Sequence, residues 1–446
     1  MKPIVAIVGR PNVGKSTLFN RIIGERKAIV LDTPGVTRDR NFGDAHWQGK
    51  PFTVVDTGGF EPESEDNMLA HMRAQAMLAI EEAEIVVFVL DARDGLLDAD
   101  REVAGILRRA ERPVVYVVNK IDGHKQEALA AEFFALGVDD VHAISAEHGR
   151  GVGRLLDTIA ALLPEPDDDA DGDDEERVTR VALIGRPNAG KSTLANRLLG
   201  ENRMIVDATP GTTRDAIDAR MRFGDREYLL IDTAGLRRKK KIEYGTSEGF
   251  SAMRTLKAID RCHVAVCMMD ATDGITDQDA RVVGVAAEKG RAIVIAVNKW
   301  DAVDKDHKTA QRFQELVERQ IPFASFAPVV FISGMTGQRI PKLIEAIDRV
   351  RESHLQRIGT GQLNRWLEDT LARHQPPVVG NRRLKFYYAT QARVAPPTIV
   401  LSCNDPEAVH FSYQRFLVNQ FRETFDVVGT PVRLHFRGKV DRHDEE

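Results

Sequence analysis

The ten residues GRPNVGKSTL at Gly9–Leu18 return as GRPNAGKSTL at Gly185–Leu194, with a single change, Val13 to Ala189. Later landmarks keep the same step. PGVTRD at Pro34–Asp39 recurs as PGTTRD at Pro210–Asp215, and VVDTGG recurs as LIDTAG with Asp56 answered by Asp232, each 176 residues on. VVNKID recurs as AVNKWD, where Asn119 and Asn298 stand 179 apart. An offset that holds and then loosens across later loops is the mark of a duplicated domain. Whatever this chain folds into must be built twice.

Each copy alternates short apolar runs with longer stretches of helical character. The runs are IVAIVG, FTVVDT, EIVVFVLD, PVVYVVNK and DVHAIS in the first copy, and RVALIG, YLLIDT, HVAVCMMD, AIVIAVNK and VVFIS in the second. Continuous apolar strands separated by helices predict an α/β fold, a mostly parallel sheet with helices on both faces. Ligands of such sheets lie at the carboxyl ends of the strands. All the repeated motifs fall there.

The first copy spans residues 1–164 and the second 178–352. Between them, at 165–177, nine of the twelve residues in EPDDDADGDDEE (Glu165–Glu176) are acidic and none is basic. The segment reads as a solvated tether, or else as a partner for the basic run RRKKK at Arg237–Lys241. From residue 353 to 440 a third unit begins, with helix-like LNRWLEDTLARH, a break at QPP and a strand in RLKFYYATQARV. A second break at APPTIVLSCND, helix-like FSYQRFLVNQFRETF and a strand in PVRLHFRG complete a small α+β domain. Residues 441–446 form an acidic tail, DRHDEE.

The net charge of −5 hides this unevenness, since Gln356–Val440 alone holds 12 Lys and Arg against 6 Asp and Glu. The three cysteines, Cys262, Cys267 and Cys403, are too few for a disulfide framework and lack zinc-site spacing. They read as reduced, buried thiols, as expected of a cytoplasmic protein. The opening MKPIVAIVG reads as a strand rather than a signal peptide, and no run approaches the ~20 apolar residues of a membrane helix.

Gly9-x-x-x-x-Gly14-Lys15-Ser16 follows a strand and opens a helix, the context in which this pattern becomes a P-loop. Gly9, Arg10, Pro11, Asn12, Val13 and Gly14 form a loop whose backbone N–H groups, proline's place apart, wrap an anion at the helix start, and Lys15 adds charge for the β- and γ-phosphates. Gly185, Arg186, Pro187, Asn188, Ala189, Gly190, Lys191 and Ser192 repeat the arrangement. The Ser16 and Ser192 hydroxyls suit Mg²⁺, as do Asp56 and Asp232, which end a strand and begin D-x-x-G. Thr57, Gly58, Gly59 and Phe60, with Thr233, Ala234, Gly235 and Leu236, complete these turns beside the γ-phosphate. Thr37 and Thr213 sit in polar loops where a threonine can close onto Mg²⁺ only with a γ-phosphate present.

NKID and NKWD set the base. Guanine offers N1–H and N2–H₂ side by side, a pair that one carboxylate accepts and adenine lacks. Asp122 and Asp301 are the expected guanine readers, supported by Asn119 and Asn298. Lys120 and Lys299 lie along the ring, and Ser145-Ala146 and Ser333-Gly334 offer backbone to the guanine oxygen. GTP or GDP is therefore the expected ligand at two sites.

In this order, twice over and followed by a small third domain, the motifs resemble the EngA (Der) family of tandem-G-domain bacterial GTPases over nearly the full length. The resemblance implies two P-loop G domains, a KH-like fold for the C-terminal α+β domain, and a part in assembling the large (50S) ribosomal subunit through rRNA or ribosomal proteins. It also implies K⁺ beside the phosphates, held by Asn12 and Asn188, in the role of an arginine finger. Lys15, Thr37, Asn12, Lys191, Thr213 and Asn188 are then the catalytic set. Two departures stand out. Ras-type enzymes place a water-orienting glutamine where this chain has Phe60 and Leu236, so slow intrinsic turnover is expected. And no GXXG, the loop with which KH domains clamp nucleotides, occurs after Leu355.

The leading expectation is a monomeric GTP-hydrolysing switch acting on the large ribosomal subunit, with no DNA partner. A nucleotide-regulated protein scaffold without direct RNA contact is the alternative. A metabolic enzyme using GTP is disfavoured, because no further substrate cluster is visible. After D-x-x-G the first copy carries acidic FEPESED and the second basic RRKKK, so the two are not expected to be interchangeable.

Overall fold

The computed structural model describes residues 2–24, 42–57, 72, 73, 75–77, 79, 80, 83–110, 112–164, 178–201, 218–232, 247–376, 378, 379 and 382–438. The acidic linker, the acidic tail, the two runs FEPESED and RRKKK, and the loops holding Thr37 and Thr213 lie outside them. Contacts divide the chain into two units, one of residues 1–33, 37–172 and 240–260, the other of 34–36, 173–239 and 261–446.

The first sheet is built from β1 (Ile4–Val8), β2 (Phe42–Trp47), β3 (Lys50–Asp56), β4 (Ile85–Asp91), β5 (Val114–Asn119) and β6 (His142–Ala143), in the order β2-β3-β1-β4-β5-β6. Only the β2–β3 pair is antiparallel. Every residue of β1 and β4 is buried, as continuous apolar runs in a two-faced sheet must be. Helices α1 (Lys15–Gly24), α2 (Asp98–Arg108) and α3 (Val152–Leu162) cross between the strands. Leu18, Phe19 and Ile22 of α1 and Leu155, Leu156 and Ile159 of α3 join one core with Val5, Val54, Val87 and Val117 of the sheet.

The second copy repeats this order. Strands β7 (Thr179–Ile184), β8 (Ala219–Phe223), β9 (Arg226–Ile231), β10 (Val264–Asp270), β11 (Ala292–Asn298) and β12 (Val329–Phe331) run β8-β9-β7-β10-β11-β12. Its helices are α4 (Lys191–Glu201), α6 (Asp277–Glu288), α7 (Thr309–Gln320) and α8 (Ile340–His354), while α5 (Ser247–Arg261), which follows β9 in the chain, belongs up to Asp260 to the other unit. Strands β2 and β8 escaped the apolar-run reading because each exposes alternate residues on a sheet edge. The signal that marks β2 is its turn: Gln48 and Gly49, at φ +47° and +86°, form the two-residue hairpin that joins it to β3.

The third part holds α9 (Thr360–Arg373), a two-strand hairpin of β13 (Val378–Val379) and β14 (Arg382–Arg383), then β15 (Phe386–Arg393), β16 (Thr398–Cys403), α10 (Phe411–Phe425) and β17 (Arg433–Gly438). β16 pairs antiparallel with β15 and parallel with β17. The expected break at APPTIVLSCND is only partly there. It is confined to Ala395–Pro397, after which Thr-Ile-Val-Leu enters β16 as a strand with Ile399, Leu401 and Cys403 fully buried. The helices cover one side, Trp366 of α9 meeting Phe421 of α10 edge-on at 5.4 Å.

This domain is seated on the second copy through α8 and β11. The Gly429 carbonyl accepts from the Ile293 N–H at 2.6 Å, and its own N–H donates to the Phe326 carbonyl at 2.9 Å. A Cβ on Gly429, at φ +69°, would stand 2.1 Å from Val350 Cγ1, so the approach needs glycine. Nearby, His354 Nδ1 lies 2.7 Å from the Thr430 hydroxyl, and His263 Nδ1 accepts from the Arg180 N–H at 3.2 Å and contacts Arg351.

Burial, then the charges of Arg291 and Arg351, brings His354 down to about 4, and burial, then Arg351, Arg180, His354 and Arg291, brings His263 down to about 3. Both are neutral in the fold at pH values where an unfolded histidine, near 6.5, already takes up a proton. Unfolding therefore binds protons below about pH 6.5, and stability is intact above that value and falls as pH drops towards 3–4. The thermal midpoint is expected to fall between pH 6.5 and 5, above the usual carboxylate range, and less steeply in His354→Gln. Equal slopes in the two proteins would rule out this histidine as the cause.

Candidate functional site

Sheet register gathers the motifs. Ile7 of β1 is level with Asp56 of β3, and Asp91 of β4 is level with Asn119 of β5; in the second copy Asp270 is level with Asn298. Four strands thus end together around the loop Gly9–Gly14. That loop turns through Asn12 at φ +63°, as its counterpart turns through Asn188 at φ +65°. Gly14, at φ +95°, has no room for a side chain, because a Cβ there would lie 2.3 Å from Asn119 Nδ2.

The reason for that contact is a bridge. Asn119 Nδ2 donates to the Val13 carbonyl at 2.9 Å, while Asn119 Oδ1 accepts from the Ala146 N–H at 2.9 Å. One buried amide therefore ties the P-loop to the Ser145-Ala146 loop. Asn298 does the same, donating to the Ala189 carbonyl and accepting from the Gly334 N–H, both at 2.8 Å. Lys120 and Lys299 leave these asparagines in left-handed conformation, at φ +69° and +60°. Their ammonium groups pair with Asp91 and, at 2.5 Å, with Asp270.

Lys15 is buried, and its ammonium donates to the Gly9 carbonyl at 2.9 Å and the Arg10 carbonyl at 2.6 Å. Lys191 donates to Gly185 and Arg186 carbonyls, each at 2.6 Å. Both lysines thus lie across their own P-loops. The Ser16 hydroxyl donates to Asp56 Oδ2 at 2.6 Å, and the Thr57 hydroxyl beside it to the Ile7 carbonyl at 2.7 Å. Two adjacent hard oxygens, one of them a carboxylate, are a donor set that fits Mg²⁺, which takes one or two protein oxygens and completes its shell from water and phosphate. In the second copy Asp232 adopts φ +58° and its N–H donates to Asp218 Oδ1 at 3.0 Å.

Asp122 carries a donor on each oxygen, the Ser145 hydroxyl on Oδ1 and Arg93 Nη2 on Oδ2, both at 2.7 Å. The Ser145 bond first, then Arg93, holds its carboxyl below the usual range. Asp301 is exposed on a short turn, Trp300–Ala302. The remaining residues singled out from the sequence, Thr37, Gly58, Gly59, Phe60, Thr213, Thr233, Ala234, Gly235 and Leu236, lie outside the described residues.

Family comparisons fall on the same segments. The family described as "50S ribosome-binding GTPase" matches residues 4–120 and 180–299, and the one described as "KH-domain-like of EngA bacterial GTPase enzymes, C-terminal" matches 357–437. GTPase Der of Trichlorobacter lovleyi is 52% identical over 439 residues, covering 98% of this chain and 97% of that protein. GTPase Der of Geobacter sp. (strain M21) is 50% identical over 444 residues, covering both chains in full. The chain belongs to the Der family of GTPases. Its two like sheets are tandem G domains and its last domain is KH-like, as the motif resemblance implied.

The structure adds partners that motif reading passed over, the aspartates that hold the P-loop arginines. Arg10 is buried with Nε 2.9 Å from Asp100 Oδ1 and Nη1 3.3 Å from Asp94, and Arg186 meets Asp273 at 3.0 Å and Asp279 at 3.6 Å. These side chains pair with the loop and helix after β4 or β10. Arg21 of α1 donates to the Ala146 and Glu147 carbonyls, and Arg197 of α4 to the Met335 carbonyl. The signal for the acidic partners was present as DARDG at Asp91–Gly95 and DATDG at Asp270–Gly274, a further repeat at 179.

Truncating the bridging amide would leave a buried carbonyl and a buried N–H without partners, at about 1–3 kcal/mol each. Asn119→Ala is expected to lower stability by roughly 2–4 kcal/mol and to weaken nucleotide binding at the first site while sparing the second; Asn298→Ala should do the converse. Urea unfolding and nucleotide titration of each variant check both halves.

Proposed function

We propose that this chain is a two-site guanine-nucleotide switch that acts in assembly of the large ribosomal subunit. The observation that carries the nucleotide part is the Asn119 amide, with Asn298 as its repeat, because it fixes the phosphate loop and the guanine loop to one another. A mononucleotide must be gripped at both ends at once, and this is the connection such a grip requires. Asp122 and Asp301 read guanine, while Ser145-Ala146 and Ser333-Gly334 receive its oxygen. Lys15 and Lys191 move from loop carbonyls to the β- and γ-phosphates when nucleotide enters.

Ser16 with Asp56, and Ser192 with Asp232, would hold Mg²⁺, which supplies charge neutralisation at the phosphates. Thr37 and Thr213 would join these donors only in the triphosphate state. With Phe60 and Leu236 in place of a water-orienting glutamine, the chain's own side chains contribute little to activating water, and intrinsic turnover is slow. The left-handed turns at Asn12 and Asn188 support a K⁺ position beside each P-loop. Replacing Na⁺ by K⁺ at fixed ionic strength is expected to raise GTP turnover, and Asn12→Ala together with Asn188→Ala to abolish the difference. Equal rates in both salts would remove K⁺ from the mechanism.

The ribosomal part rests on the Der relatives and on the family description quoted above. The KH-like domain supports it with a net basic composition and with Tyr387 and Tyr388 exposed on β15, groups suited to phosphate and base contacts. We place the chain in the cytoplasm as a monomer; among the described residues no helix is long and apolar enough to cross a membrane. Co-sedimentation with purified large subunits is expected with a non-hydrolysable GTP analogue and not with GDP. No binding in either state, with both sites shown to be filled, would favour a protein scaffold instead.

A further inference from the structure

The two G domains differ at one position next to the guanine-reading carboxylate. The loop after β4 reads Asp91-Ala-Arg93-Asp-Gly95, and the loop after β10 reads Asp270-Ala-Thr272-Asp-Gly274. Their frames are alike. The first aspartate of each pairs with the lysine of NKxD and accepts the backbone N–H two residues on, at 2.9 Å in both. The side chains then diverge. The Thr272 hydroxyl donates to Asp270 Oδ1 at 2.6 Å and stays within its own loop. Arg93 instead reaches across to Asp122, its Nη2 donating to Oδ2 at 2.7 Å.

Asp122 therefore meets any ligand with its acceptors already engaged. The Ser145 hydroxyl is on Oδ1, Arg93 is on Oδ2, and His148 Nε2 stands 3.9 Å from Oδ1. Asp301 differs on every count, being exposed and having no hydrogen bond or ion pair with any described residue. Guanine brings two adjacent N–H donors and asks for both oxygens of one carboxylate. Each oxygen has two acceptor positions, so a hydroxyl can stay while guanine binds. A guanidinium on the second oxygen brings both a competing donor and a positive charge that weakens the acceptor.

We propose that Arg93 is an affinity-determining residue of the first guanine site, a cation of the chain itself that competes with guanine for Asp122, and that Thr272 leaves the second site the tighter of the two. The proposal rests on the nucleotide reading given above and deepens it. The Arg93 side chain is 60% exposed, so the pair it must give up is a solvent-screened one. The effect on affinity is accordingly about two- to fivefold, the scale of an exposed ion pair. At limiting nucleotide the second site fills first.

The test uses the full chain and fluorescently labelled GDP. Asp301→Ala leaves the first site to be titrated and Asp122→Ala leaves the second. In the Asp301→Ala background, Arg93→Thr is expected to tighten GDP about two- to fivefold, with the gain shrinking in about 0.5 M KCl as the pair is screened. In the Asp122→Ala background the Arg partner is gone, so Thr272→Arg is read at an intact Asp301, where it should weaken GDP by a similar factor. Residues 93 and 272 are both exposed, so neither exchange disturbs the core. An unchanged or weakened first site in Arg93→Thr overturns the proposal, the weakened case making Arg93 a group that holds Asp122 in place for guanine. If Asp301→Ala and Asp122→Ala each still took up two equivalents of GDP, the guanine-reader assignment itself would fall, and this proposal with it.

Discussion

Everything at each site hangs on one buried side-chain amide. Asn119 and Asn298 each satisfy one carbonyl of the P-loop and one N–H of the loop that follows the next strand. These groups are buried, and the amide ties together two loops that are far apart in the chain. The same contact explains the glycine that precedes each P-loop lysine, since any side chain there would occupy the amide nitrogen's place. A motif usually read as base recognition is, in its first residue, a structural clamp.

Around that clamp the copies repeat a second layer of charge. Arg10 and Arg186 sit under their P-loops against paired aspartates, and Asp100 and Asp279 are nearly inaccessible to solvent. Burial pushes the Asp100 carboxyl up, and Arg10 offsets part of that. A buried pair of this kind adds little net stability but is costly to break from one side. It ties the residue next to the start of each P-loop to the helix after β4 or β10, two positions before the left-handed asparagine.

Much of this was legible in the sequence because duplication supplied its own control. The apolar runs named the buried strands, and the repeated Gly-Lys-Ser, D-x-x-G and N-K-x-D placed the ends of those strands at one edge. What escaped was half-exposed or purely spatial. Strands β2 and β8 have no continuous apolar run, and the strand at Thr398–Cys403 was hidden by the prolines before it. The partners of Arg10 lie 84 and 90 residues away, and the reach of Arg93 to Asp122 spans 29, distances no local pattern encodes. DARDG and DATDG were readable as a repeat, yet their difference at a single residue acquires meaning only once the loop is folded against NKxD.

Strand β11 gives the duplication its consequence. At its start, Ile293 donates to Gly429 of the KH-like domain, and at its end Asn298 clamps the second P-loop. Its seven residues, six steps of about 3.3 Å, span roughly 20 Å, with β10 and β12 paired on its two edges. The C-terminal domain is thereby seated on the same strand that ends at Asn298 of the second N-K-x-D motif. A single G domain would offer one nucleotide-bearing element and no second one to set against it. With two, the chain keeps its second copy built into the frame that carries its basic domain.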